Sequence, residues 1–427
     1  MTGDRPAAVV TGLGVAAPNG LGLADWWAAV RAGRNAIGPV TLFDARDYPS
    51  RLAGEIKGFD AAEHLPGRLL PQTDRMTRIA LVAADWALAD AGIDAEELAE
   101  YAMGVVTAAS SGGFAFGQRE LAALWSKGSR YVSAYQSFAW FYAVNSGQIS
   151  IRNGLRGPSG VLVADQAGGL GAIAQATRHL RGGTPVMMAG AVDSALCSWG
   201  WVAHLAGGRL STSDDPEGAY LPFDERAAGH VAGEGGALLV VEDAERARRR
   251  GAPRIYGEIA GYAATMDPAP GSGRPPGLQR ALESALRDAG TEPGEVDVVF
   301  ADAAGLPECD LIEAEAVGKV FGPHGVPVTA PKTTTGRLYS GAAPLDVAMA
   351  LMAMRDGVIP PTAHVTPFPG YDLDLVTDRP RPARLRTAVV LARGRGGFNS
   401  ALVLRQHAPH TGGGTGPAGH RDPERTP

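Results

Sequence analysis

The chain of 427 residues has room for two to four domains, or for one large duplicated unit. With 45% apolar and 20% charged residues it is composed like a globular protein that buries its own core, and a net charge of −6 argues against a nucleic-acid binder held by bulk charge. Two cysteines, Cys197 and Cys309, make neither a disulfide framework nor a cysteine metal cluster, and the apolar runs fall short of the ~18 residues a membrane helix needs.

The first predicted element is a strand at 8–11. It follows the start so closely that no signal peptide is expected, and the chain reads as cytoplasmic. A helix is predicted at 74–91, with Ile79, Leu81, Val82 and Trp86 on its apolar side and Gly92 as its stop. Strands follow at 104–107 and 161–164, then a helix at 167–180 closed by Gly182 and Gly183. Strands at 186–189 and 237–242 end a first half, 1–250. The arginine-rich run 246–250 marks the seam and reads as a solvated helix end. A second half, 251–406, carries a helix at 277–289 closed by Gly290, then strands at 296–301, 326–329, 388–392 and 401–405. These strands are short and rich in Val, Leu and Ala, as strands buried on both faces are. Alternating strands and helices imply α/β architecture, with parallel sheets and helices on their faces. From 407 to 427 nothing apolar could anchor the chain, so a disordered tail is expected.

Three places carry the marks of chemistry. In the first, Val163-Ala164-Asp165-Gln166-Ala167-Gly168-Gly169, a buried strand turns sharply into a helix and small residues follow. That is the geometry of a nucleophile elbow, which aims a side chain into a cavity over the positive end of a helix. A Cys there would have a lowered pKa. The turn residue is Gln166, whose amide can donate and accept hydrogen bonds but cannot attack a thioester. In the second place, a strand ends at Asp302 and an acidic helix begins, with Asp310 and Glu313 suited to its N-terminus. Asp302 is either catalytic or a turn cap. The third place is Lys332-Thr333-Thr334-Thr335-Gly336-Arg337, a hydroxyl-rich loop with two cations that either holds an anion or is merely structural. Lys332 is conspicuous because only four of the 39 basic side chains are lysines.

Taken in this order and spacing, the three places resemble the condensing enzymes of the thiolase fold. The opening Val9-Val10-Thr11-Gly12-Leu13-Gly14, the segment Pro222-Phe223-Asp224-Glu225-Arg226, and Gly394-Arg395-Gly396-Gly397-Phe398-Asn399 are similar to ketosynthase sequence too. The resemblance covers about residues 7–406 and implies two duplicated βαβαβ halves in an α-β-α-β-α layering. In a working ketosynthase a Cys stands at the place of Gln166, and histidines at the places of Asp302 and Arg337. Lys332 and Glu313 fall on the family's lysine and glutamate, and Arg395 stands where Phe is usual. A kept scaffold with these replacements resembles the ketosynthase beta subunit, or chain length factor, of bacterial type II aromatic polyketide synthases. So does the segment Ser137-Phe138-Ala139-Trp140-Phe141-Tyr142. Cys197 and Cys309 lie off the elbow and read as packing or turn residues. His204 and His230 are candidates for the cavity, with a structural role as the default.

The resemblance implies a 1:1 heterodimer with a catalytic ketosynthase alpha subunit. That partner would condense malonyl units delivered on the phosphopantetheine of acyl carrier protein. This chain would hold no cofactor or metal and would bind neither nucleic acid nor membrane. It would line half of a tunnel for the growing poly-β-ketoacyl chain and stop growth by filling space. The expected tunnel floor is the helix at 112–121, where Phe114, Gly117 and Leu121 share a face and match the family's gating positions. A Gly and a Leu among them predict a long product, about twenty carbons or more. Trp199, Gly200 and Trp201 are further candidates for the same interface. The alternative is an enzyme in its own right, a malonyl-carrier decarboxylase that primes synthesis through an oxyanion-hole effect of Gln166.

Overall fold

The computed structural model describes residues 6–407. One continuous sheet path runs through the molecule and falls into two matching arms. In the first arm, Ala8–Ala17 pairs antiparallel with Gly235–Asp243, which pairs antiparallel with Val186–Asp193. Met103–Ala108 and Ser159–Leu162 then add in parallel. In the second arm, Gly257–Met266 pairs antiparallel with Phe398–Arg405, which pairs antiparallel with Thr387–Gly394. Val298–Phe300 and Pro327–Thr329 then add in parallel. The arms meet where Val9 faces Glu258 and Val10 faces Gly257.

The repeat extends to a detail of packing. Each first strand has a register irregularity just before a glycine, Gly12 in one arm and Gly261 in the other. An outer helix crosses each strand there: Arg75–Ala91 in the first arm, Leu278–Ala289 in the second. A Cβ on Gly12 would lie 2.3 Å from the Ala87 carbonyl oxygen, and one on Gly261 would lie 2.4 Å from that of Ala285. Only glycine lets helix and strand backbones approach so closely. Both helices end in a left-handed glycine, Gly92 and Gly290.

Two helices fill the middle layer. Asp165–Arg181 and Ala342–Asp356 pack on each other and on strands of both arms. Every residue from Ala342 to Met354 is buried, so this helix is apolar almost all round, as a central helix must be. The layering is therefore α-β-α-β-α, with the elbow at the start of one central helix. No helix among the described residues is long and apolar enough to cross a membrane.

Each predicted strand and helix has its counterpart, shifted at the ends by a few residues. The ten-residue strand Gly257–Met266 was not predicted, because Gly257, Glu258 and Gly261 break its apolar run. The 246–250 run also differs from expectation. It does end a helix, Ala244–Arg249, but Arg250 and Arg246 fold back onto Glu242, which is fully buried. Burial of that carboxylate demands cationic partners, so these arginines are structural. The tail expected at 407–427 lies outside the described residues, except for His407, whose ring meets Arg248.

Candidate functional site

The sharp turn exists. After the strand Ser159–Leu162 the chain enters the helix through Asp165, at φ 49°. A non-glycine residue held there is strained, as an elbow requires. Gly169, one turn in, sits under Ser340 and Pro344, where a Cβ would meet the Ser340 carbonyl oxygen at 2.5 Å. That close approach seats the elbow against the second central helix.

Gln166 is fully buried. Its amide Nε2 donates to Asp302 Oδ1, while its Oε1 has no partner. Asp302 is a hub rather than the turn cap that was the other expectation. Its Oδ1 and Oδ2 accept from Arg337 Nη2 at 3.0 and 2.9 Å, and Oδ1 also accepts from the Arg393 amide at 2.8 Å. Arg337 completes its bonding on the carbonyls of Asp302 and Arg393. Gln166, Asp302 and Arg337 thus form one connected, buried cluster: amide, carboxylate, guanidinium.

Around the cluster stand Glu313 and Lys332. Glu313 accepts from the backbone amides of Asp302 at 2.7 Å and Ala303 at 2.8 Å, holding a loop in which Ala303 has φ 51°. Asp310 likewise accepts from Gly305 and Phe223. Burial pushes both carboxyls up to about 7 against the pull of these bonds, with neighbouring carboxylates adding to the rise. Both acids lie in the first turns of the helix Pro307–Phe321, and both reach back into the core. Cys309 belongs to this helix and not to the turn before it.

Lys332 corrects an expectation. Its ammonium pairs with Asp346 at 2.6 Å and donates to the Ala301 carbonyl at 2.7 Å. Arg337 is equally committed to Asp302. The hydroxyl-rich loop therefore has no spare cation and is structural. Asp346 was missed from sequence, yet it had a signal: it is the one acid inside an otherwise apolar helical run, and a buried carboxylate needs a partner.

At the mouth of the elbow, Asp165 Oδ2 accepts the backbone amide of Arg395 at 2.9 Å. The amide at the Phe-to-Arg position is thereby taken by an internal carboxylate. Cys197 caps the helix Ser198–Ala206, its sulfur 3.4 Å from the Gly200 amide, and is buried. No group of His, Cys, Asp and Glu among the described residues is arranged to hold a metal ion.

Comparison with known proteins decides the family. The beta-ketoacyl synthase N-terminal domain matches residues 6–247, and the C-terminal domain matches 256–366. The chain belongs to the beta-ketoacyl synthase family. It is 64% identical over 402 residues, 94% of this chain and 99% of the relative, to a polyketide beta-ketoacyl synthase 2 of actinorhodin from Streptomyces coelicolor. It is 60% identical over 401 residues, 93% and 98% of the two chains, to the tetracenomycin polyketide synthase ketoacyl synthase beta subunit of Streptomyces glaucescens. Among solved structures it resembles the ishigamide ketosynthase/chain length factor, at 26% identity with a TM-score of 0.85, covering 95% of this chain and all of that one. It also resembles a type II polyketide synthase acyl carrier protein in complex with its ketosynthase bound to the hexaketide, at 25% identity with a TM-score of 0.84 and the same coverage.

In this member of the family the expected tunnel helix runs over Phe114–Lys127. Its buried residues are Phe116, Gly117 and Glu120. Phe114, Gly117 and Leu121 share a face that runs from the buried Gly117 to the surface, where Leu121 is 38% exposed. Trp199 stacks on Phe114 with ring centroids 4.7 Å apart. A Cβ on Gly117 would meet Trp199 Cζ3 at 2.9 Å, so the absent side chain is what lets Trp199 lie there. Trp201 turns inward, donating to the Ser50 carbonyl, and is no surface residue. Nearby, Trp125 is 84% exposed, and Tyr135, Trp140, Phe141 and Tyr142 are each exposed as well. The strand Ser159–Leu162 is paired on one side only, so the sheet ends in an open edge.

Proposed function

We propose that the chain is the chain length factor, the non-catalytic beta subunit, of a type II polyketide synthase. The observation that carries this reading is the sealed elbow. Thioester attack needs a thiol at the turn, and the chain has Gln166 there, closed under an Asp302–Arg337 ion pair. The scaffold is complete, so the contribution of this chain is made at its surface. Two features support that. The open sheet edge can be continued by a partner strand. The exposed aromatic residues form the kind of surface that marks a protein interface.

The partner is the catalytic ketosynthase alpha subunit, joined 1:1, and carrier protein delivers substrates to it on phosphopantetheine. This chain itself holds no cofactor. The assembly works in the cytoplasm. Phe114, Gly117 and Leu121 face the growing poly-β-ketoacyl chain and set its length, about twenty carbons or more, by exclusion of longer products. Residues 1–250 and 251–406 are the two halves, a division supported by the matching arms of the sheet.

The decarboxylase alternative has less support. The donor end of the Gln166 side chain is engaged by Asp302, and the Arg395 amide is engaged by Asp165. Both donors are turned to internal carboxylates, whereas an oxyanion hole aims its donors at the substrate oxygen. Native mass spectrometry of the chain co-expressed with the ketosynthase encoded beside it tests the reading. A 1:1 heterodimer that makes a long polyketide is expected, with priming unchanged in Gln166→Ala. A stable homodimer indifferent to the ketosynthase would overturn it.

A further inference from the structure

One turn of the helix Phe114–Lys127 takes up a single residue from elsewhere in the chain, Trp199. Phe114 stacks on the indole with its plane 10° off parallel. Gly117 leaves the space into which the ring reaches, since a Cβ there would lie 2.9 Å from Cζ3 and 3.8 Å from Cη2. Gln118 Oε1 accepts the Trp199 backbone amide at 2.7 Å. Phe114, Gly117 and Gln118 stand at i, i+3 and i+4, so they are neighbours on the helix surface. The bulk that Gly117 lacks is therefore supplied by Trp199.

Trp199 lies in the first turn of the helix Ser198–Ala206, where backbone amides have no partner within the helix. The N-cap is Cys197, whose sulfur serves the Gly200 amide and not that of Trp199. Burial pushes the Cys197 thiol above its ordinary value, so the cap is a neutral thiol, a weak acceptor. The side chain of Gln118, 81 residues earlier, completes the turn. Only the oxygen end of its amide can accept, so the bond also orients Gln118. Trp199 is 37% exposed. Its packing is incomplete, and the hydrogen bond to its backbone has a share in fixing it.

We propose that Gln118 is a positioning residue for chain-length selection: it holds the first turn of Ser198–Ala206 and so keeps Trp199 over Gly117, where the indole forms the tunnel floor in place of a side chain on the tunnel helix. The proposal rests on the chain-length reading. It moves the size-determining group from Gly117 to a residue of a second helix, and it makes Gln118 a determinant of product length that touches no substrate. When the bond is lost the first turn frays, the indole leaves Gly117, and the space opens to further two-carbon units. Exclusion by filled space is only as sharp as the filling group is fixed.

Two variants of the full chain, co-expressed with the ketosynthase encoded beside it, test this. Gln118→Met keeps the length of the side chain and removes its oxygen, whereas Gln118→Glu keeps an oxygen that accepts. The product mass spectrum, amide hydrogen exchange at Trp199 and the melting temperature are read for each. Gln118→Met is expected to raise the share of longer products about two-fold or more and to speed exchange of the Trp199 amide about tenfold, with Gln118→Glu close to the parent in both. A lower melting temperature with an unmoved length distribution would mark a merely structural residue and overturn the proposal. So would an unchanged exchange rate at Trp199. Leu121→Phe alters the same helix without touching the Gln118 bond, and so separates the proposal from the reading beneath it. If Leu121→Phe shortens the product and Gln118→Met leaves it unchanged, Gln118 has no positioning role and the chain-length reading stands. If neither variant changes the length, that reading falls and the proposal falls with it.

Discussion

Asp302 and Arg337, for which the resemblance to condensing enzymes implies histidine positions, hold each other inside the core. Removing one partner of a buried pair strands the other, at a cost of about 3–5 kcal/mol. Arg337→Ala is therefore expected to lower the unfolding free energy by about that much, and Asp302→Ala added to it should restore part of the loss. Equilibrium denaturation decides this; a loss in the double variant equal to the sum of the two single losses would show the two residues to be uncoupled. Asp310 makes a second residue-scale prediction. Its carboxyl has an ordinary value of 3.8 and is raised to about 7 in the fold, chiefly by burial. The folded state then binds the proton more tightly than the unfolded one. This contribution to stability is complete below about pH 4 and is lost as pH rises toward 7, by up to about 1.4 kcal/mol per pH unit. Asp310→Asn should flatten the fall in stability over that window, as followed by urea melts at pH 4, 5.5 and 7.

At the scale of elements, the tunnel helix is held from behind by one residue. Asp74 accepts the Met76 amide at 2.8 Å and the Phe116 amide at 2.7 Å, so a single carboxylate caps Arg75–Ala91 and the start of Phe114–Lys127. A cap is worth about 1 kcal/mol. Asp74→Ala should cost about twice that and loosen the helix that carries the gating positions; hydrogen exchange at Phe116 measures the second effect. The gating positions themselves are not equivalent. Leu121 is exposed, so Leu121→Phe adds bulk without repacking and is the cleaner test: a shorter polyketide in the product mass spectrum is expected. Gly117→Thr must displace Trp199 as well, so it should shorten the product and also lower the melting temperature. Unchanged product length in both variants would sink the gating role.

For the molecule as a whole, the duplicated sheet ends in open edges, at Ser159–Leu162 in one arm and at Asp374–Leu375 in the other. Trp125, Trp140, Phe141 and Tyr142 are exposed on the isolated chain. Expressed alone, the chain should be poorly soluble or self-associated by size-exclusion chromatography, and co-expression with the ketosynthase should raise its soluble yield several-fold. Much of this architecture was legible beforehand. The buried strands announce themselves by runs of Val, Leu and Ala, the outer helices by their period and their terminal glycines, and the vacant elbow by Gln166 among small residues. Local chemistry governs those features, so local sequence carries them. What the chain order could not supply is who meets whom. Asp346 lies 14 residues from Lys332, Arg337 lies 35 from Asp302, and Trp199 lies more than 80 from Gly117; each pair meets only in the folded chain. The sequence by itself determined the fold class and the loss of the nucleophile, because both are written in single residues and short periods. Only the tertiary structure decided that the elbow is sealed by an ion pair and that Lys332 is occupied. Charge neutralisation in a core depends on three-dimensional neighbours, and no spacing along the chain encodes them.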